Sequence, residues 1–122
     1  MPLGTLRERL DHVNRQLMAA GEPPLMLEEG FAARLYTGPM YVKYNDLLRG
    51  FGPALAGCKD NRYVTTSHAI NAAIVKSSKL TSAQCVYRGV AGGILPEGFW
   101  VPNAQGVRGG IEGAFLSTTF DR

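Results

Sequence analysis

The sequence predicts an α+β fold, with helices first and strands last. Two observations carry this. From Leu6 to Leu80, apolar residues recur at three- and four-residue spacing in segments divided by Gly and Pro. Beyond that point the period shortens to two in Gln84–Val90, and a second short apolar run spans Ala114–Phe120, after a long glycine-rich connection. At 122 residues the chain is long enough to bury a core.

Leu6 to Ala20 reads as an amphipathic helix. Leu6, Leu10, Val13 (or Asn14) and Leu17 form its apolar face, with Arg7, Glu8, Asp11 and Arg15 turned outward. Thr5 is the predicted N-cap and Glu8 completes a capping box. Gly21 and Pro23-Pro24 stop it. Leu27 to Tyr36 is a second helix, broken by Thr37-Gly38-Pro39. Met40 to Arg49 is a third, with Met40, Tyr41, Tyr44, Leu47 and Leu48 as its stripe and Gly50 as its end. Phe51 to Asn61 reads as a loop. Its Gly52…Gly57-Cys58-Lys59 resembles a phosphate loop only superficially, because Cys58 separates the glycine from the lysine and Asp60 follows. Asn61 to Leu80 is the strongest helix; its stripe runs through Tyr63, Ser67, Ile70, Ala73, Ile74, Ser77 and Leu80, and Lys76 and Lys79 suit its C-terminal dipole.

The strand Gln84–Val90 places Val86, Arg88 and Val90 on one face and Cys85 and Tyr87 on the other. Pro96 to Trp100 is a turn or a single helical turn. Val101 to Gly113 is a glycine-rich connection of a length that marks function or disorder. Ala114–Phe120 is the closing strand.

Composition excludes some function classes. Hydrophobic content is 45% and charged content 19%, and no apolar run has the length of a membrane span. The 13 basic residues against 10 acidic ones are scattered, without the stripe that nucleic acid requires. The N-terminus shows no basic segment leading into an apolar one, so a cytoplasmic protein is expected. Cys85 is expected in the core and Cys58 in a loop, both reduced. His12 and His68 share no ligand spacing with Cys or carboxylates, so no metal is predicted.

Arg88 carries most of the chemistry. A guanidinium between two valines on a strand needs a partner. Two readings stay open: a structural ion pair with an acid elsewhere, or an anion site, since its fork of donors suits phosphate or carboxylate. Gly89 lets a ligand approach the backbone. Ser117-Thr118-Thr119 reads either as an ordinary strand end or as hydroxyls poised to bond ribose or orient a carboxylate. No His–carboxylate pair shows recognisable spacing around Ser117, so it is not a triad nucleophile.

Taken together, the helix Tyr63–Ile70, then Val86-Tyr87-Arg88-Gly89, the glycine-rich loop, and Gly113-Ala114-Phe115-Leu116-Ser117-Thr118-Thr119 resemble the N-terminal part of an arginine-directed mono-ADP-ribosyltransferase of the Arg–Ser–Glu class. Leu35-Tyr36-Thr37-Gly38 and Tyr41-Val42-Lys43-Tyr44-Asn45 look like that family's lead-in helices, so the resemblance covers roughly residues 30 to 122. It divides the chain into an N-terminal helix and linker, 1–24, and a partial transferase domain, 25–122. The family implies a split two-sheet core, here incomplete at the C-terminus, with NAD+ as co-substrate between the sheets. It implies that Arg88 holds the NAD+ phosphates and ribose, that the Gly89 backbone contacts the nicotinamide amide, and that Ser117 orients NAD+ and a catalytic glutamate. Thr119 matches the last hydroxyl of the tract, and Phe99-Trp100 lies in a connection that would border the nicotinamide pocket. The partners implied are NAD+ and an acceptor protein arginine, with neither nucleic acid nor membrane.

The family also places a Glu-x-Glu pair on a later strand, and no such pair occurs in these 122 residues. Glu28-Glu29 is adjacent and early, and Glu112 precedes Ser117. Three functions are therefore expected in turn. The first is an ADP-ribosyltransferase whose glutamate strand lies downstream, with this chain alone inactive. The second is a noncatalytic NAD+- or protein-binding module, and the third an unrelated helical interaction domain.

Overall fold

A computed structural model describes residues 3–122. Met1 and Pro2, part of the stretch read for a leader segment, lie outside the described residues. Among the described residues there are five α-helices: α1 (Leu3–Ala19), α2 (Leu27–Tyr36), α3 (Tyr41–Arg49), the short α4 (Leu55–Cys58) and α5 (Val64–Ser77), the last continued by a 3-10 turn, Ser78–Leu80. The chain divides into two compact units, one ending at Ala83 and the other spanning Gln84–Arg122.

The first unit is built on α2 against α5, with α1 and α3 beside α2. Small side chains permit the approach: Ala32 of α2 and Ala73 of α5 are buried, with Ile70. On α1 the predicted face is correct, and Leu17 is fully buried. Gly30 of α2 meets α1 closely, since a Cβ there would lie 3.1 Å from Leu10 Cδ1. Asn14 clamps the α1–α2 linker: the Leu25 amide donates to its Oδ1 (2.7 Å) and its Nδ2 donates to the Leu25 carbonyl (3.0 Å).

Thr5 lies within α1 and so does not cap it. One half of such a cap is found on α2 instead, where the Met26 amide donates to Glu29 Oε2 at 2.8 Å. Lys76 does more than favour a dipole. Its Nζ reaches across from α5 to both Glu29 oxygens (3.0 and 2.9 Å) and to the Pro24 carbonyl (3.0 Å). Burial alone would push the Glu29 carboxyl up, but the Lys76 and Met26 hydrogen bonds and the lysine charge together hold it below its usual value.

On α3 the aromatic stripe is only partly buried. Tyr44 is buried against Tyr63, ring centroids 5.4 Å apart and edge to face, while Tyr41 and Leu48 are exposed. Burial, then the neighbouring Tyr63, pushes the Tyr44 phenol up. Asn45 and Asp46 are buried beside it, against the periodicity, because each has polar partners. Asn45 Nδ2 donates to the Tyr36 hydroxyl (3.1 Å), and Asp46 Oδ2 accepts from the Ala54 amide (2.9 Å). Gly50 closes α3 with φ +79°, its amide donating to the Asp46 carbonyl. The expected loop 51–61 contains α4, where Cys58 is buried and its thiol donates to the Ala54 carbonyl (3.3 Å).

The α+β expectation is overturned. Among the described residues there is no sheet, and neither Gln84–Val90 nor Ala114–Phe120 is a strand. The split two-sheet core implied by the resemblance is therefore not present here. The two segments meet at one antiparallel bridge, Tyr87 with Thr119. The reason lies in their surroundings: every residue from Gln84 to Gly113 is exposed, Cys85 included, so no apolar face is covered and no ladder propagates. A two-stranded pair without further strands or a packing surface is marginal in water. The predicted single turn forms as a 3-10 helix, Glu97–Phe99.

Candidate functional site

The second unit brings the sequence-predicted site residues together. Tyr87 and Thr119 exchange both backbone hydrogen bonds, at 2.8 and 2.9 Å. This narrow pair sets Arg88 beside Ser117: Arg88 Nη1 donates to the Ser117 carbonyl at 2.9 Å and to Ser117 Oγ at 3.3 Å. The premise of a buried charge does not hold, since Arg88 is exposed. Its hydrogen bonds go to serine rather than to an acid, so the expected structural ion pair is not formed with the described residues. Only Nη1 is used, which leaves the rest of the donor fork open.

Gly89 borders open space; a Cβ there would meet nothing within 4 Å. Protein packing therefore makes no demand for glycine at this position, and a ligand has room to reach the backbone. Thr119 Oγ1 is turned to a local task, accepting the Asp121 amide at 3.1 Å.

Arg88 also lines a cavity of about 650 Å3, within the roughly 300–1,000 Å3 typical of small-molecule sites. Its walls are apolar: Val90, Leu95, Phe99, Ile111 and Leu116. Glu112 supplies a carboxylate to the lining, and its Oε1 accepts the Ala114 amide at 3.1 Å. Of the aromatic pair, Phe99 lines the cavity, whereas Trp100 does not and is 64% exposed. An apolar chamber with an arginine at its wall suits a flat ring attached to an anionic group. Leu95 and Ile111 had no signal in the sequence beyond being apolar near glycines, whereas Leu116 lies in the predicted closing strand.

Among the described residues no three His, Cys, Asp or Glu side chains gather into a metal-binding group. No helix among the described residues is long and apolar enough to cross a membrane. No protein-family model, curated protein or solved structure matches the chain.

Proposed function

We propose that Gln84–Arg122 carries the arginine–serine portion of an NAD+-dependent mono-ADP-ribosyltransferase site, which transfers ADP-ribose to arginine side chains and releases nicotinamide. The observation that carries the reading is the direct contact of Arg88 with Ser117, residues 29 positions apart in the chain. The reading rests on this site and on the Tyr87-Arg88-Gly89 and Ser117-Thr118-Thr119 tracts, not on the fold.

In this scheme the open part of the Arg88 fork binds the phosphate and ribose oxygens, and the apolar walls receive the nicotinamide ring. Ser117 Oγ lies beside the guanidinium and bonds the ribose. The reaction is a displacement at the anomeric carbon. The bond to nicotinamide breaks and its electron pair leaves with the ring. An acceptor guanidinium nitrogen bonds to the carbon and gives up a proton. The oxocarbenium-like centre between these events needs a carboxylate nearby, as in glycoside hydrolysis. The chain offers no Glu-x-Glu for that task.

A second reading, an NAD+-binding module without transferase chemistry, is favoured by that same lack. Titration of the 122-residue chain with NAD+, followed by the fluorescence of its one tryptophan, Trp100, tests the binding step common to both. Saturable binding is expected, weakened about tenfold or more by Arg88→Ala. Unchanged binding in that variant would overturn both. Labelled ADP-ribose transfer to an arginine substrate separates them: the chain alone is expected to be inactive, and transfer by it would exclude the noncatalytic reading.

A further inference from the structure

A second concavity lies next to the first within Gln84–Arg122. It measures about 550 Å3, is walled by Val101, Asn103, Val107 and Arg108, and shares Gly110 and Ile111 with the Arg88 cavity. The two hollows thus adjoin across two residues, and each holds one arginine. The Arg108 side chain is exposed and forms no hydrogen bond or ion pair with the described residues. The backbone amides of Arg108, Gly110 and Ile111 likewise meet no protein acceptor among them. The lining therefore includes a guanidinium and three residues, Arg108, Gly110 and Ile111, whose backbone amides bond no protein acceptor among the described residues.

That lining is held in shape by its own bonds. The Gly109 amide donates to the Gly98 carbonyl (2.8 Å) and closes the loop at its base. Asn103 Oδ1 accepts the Gln105 and Val107 amides, each at 3.0 Å, while the Asn103 amide donates to the Val107 carbonyl (2.8 Å). The Phe99 ring lies flush on Gly110, where a Cβ would come within 2.7 Å of the ring. Arg108 is therefore carried by an internally bonded loop.

We propose that this second hollow is an anion subsite, in which Arg108 and the Gly110 and Ile111 amides take the adenosine-side phosphate of a dinucleotide. Its nicotinamide-side phosphate meets Arg88. Arginine and unbonded backbone amides are donors that phosphate oxygens match. The subsite rests on the NAD+ reading of the Arg88 cavity, and it adds a requirement: a ligand must carry both phosphates to use both arginines.

Calorimetric titration of the full 122-residue chain with ADP-ribose and with nicotinamide mononucleotide tests this. Arg108→Gln is expected to weaken ADP-ribose about tenfold and leave nicotinamide mononucleotide unchanged, with Arg108→Lys between Gln and the native residue. Arg88→Ala is expected to weaken both ligands. Ligand-free melting of Arg108→Gln should match the native chain, which confirms that the variant folds. If Arg88→Ala weakens ADP-ribose and Arg108→Gln does not, the subsite is wrong and the NAD+ reading stands. If only Arg108→Gln weakens it, the anion subsite stands and the Arg88 reading falls. Equal losses for both ligands in Arg108→Gln would remove the adenosine-side assignment, and absence of any binding would overturn both.

Discussion

Replacing Lys76 by Ala isolates a buried charge. Glu29 retains the Met26 amide but loses a lysine that bonds both its oxygens, and its side chain is only 9% accessible, against 22% for Lys76. Breaking a fully buried pair costs about 3–5 kcal/mol and an exposed pair under about 1 kcal/mol. The partial access of the lysine places this case near 2–3 kcal/mol. For a unit of this size that corresponds to a melting-temperature loss of roughly 10–20 °C. Far-ultraviolet circular dichroism reads it cleanly, because all five α-helices precede Ala83. The pH dependence supplies a second readout. In the native chain the Glu29 carboxyl is held below its unfolded value, so its contribution is complete above about pH 4.5 and disappears as pH falls through the folded value. In Lys76→Ala the lysine hydrogen bond and charge are gone and burial dominates, so the carboxyl rises. The variant should then lose less stability than the native chain on acidification below pH 4.5, and the gap between the two should narrow. A melting loss under a few degrees, with parallel pH curves, would show that the pair is solvated and the reasoning wrong.

Gly52 has φ +137°, and a Cβ there would overlap the Asp46 carboxylate, which holds the Ala54 amide. Gly52→Ala is therefore expected to cost about 2–3 kcal/mol in urea unfolding, whereas Gly57→Ala, which meets open space, should cost little. The two thiols should separate by reactivity. Cys85 is exposed and should react with an aromatic disulfide reagent in the native state, and buried Cys58 only as the first unit opens. Equal rates would mean that α4 does not protect its cysteine.

The helices were legible because their signals are local. Apolar spacing and the stops at Gly21 and Gly50 lie within the segments they define, and α2 is found at its predicted bounds. What was not legible depends on distant partners. Nothing around Glu29 or Lys76 in sequence links residues 47 apart, and Asn45 and Asp46 break the helical period because the groups that satisfy them lie elsewhere. The strands misled for the same reason. Alternation in 84–90 states which faces would be covered in a sheet, but only neighbours can cover them, and Val86, Val90, Leu116 and Phe120 remain open. Within the site, Arg88, Gly89, Ser117 and Thr119 stood out as residue types, and Arg88 and Ser117 do meet. Of the cavity walls, Val90 and Leu116 were read only as strand residues, and Leu95 and Ile111 did not stand out, since isolated apolar residues among glycines carry no periodicity.

The Tyr87–Thr119 pair has a thermodynamic consequence for any ligand of this unit. Two backbone hydrogen bonds and the Arg88–Ser117 contact pin the ends of a connection that has no other ladder. If such a clasp opens and closes, the arginine and serine would face one ligand only while it is shut. Observed affinity is then the intrinsic affinity multiplied by the closed fraction, so a clasp shut one-tenth of the time weakens binding about tenfold without any change in the site. Exchange of the Tyr87 and Thr119 amides with deuterium measures that fraction directly, and a neighbouring strand that lengthened the ladder would tighten binding while touching no ligand atom.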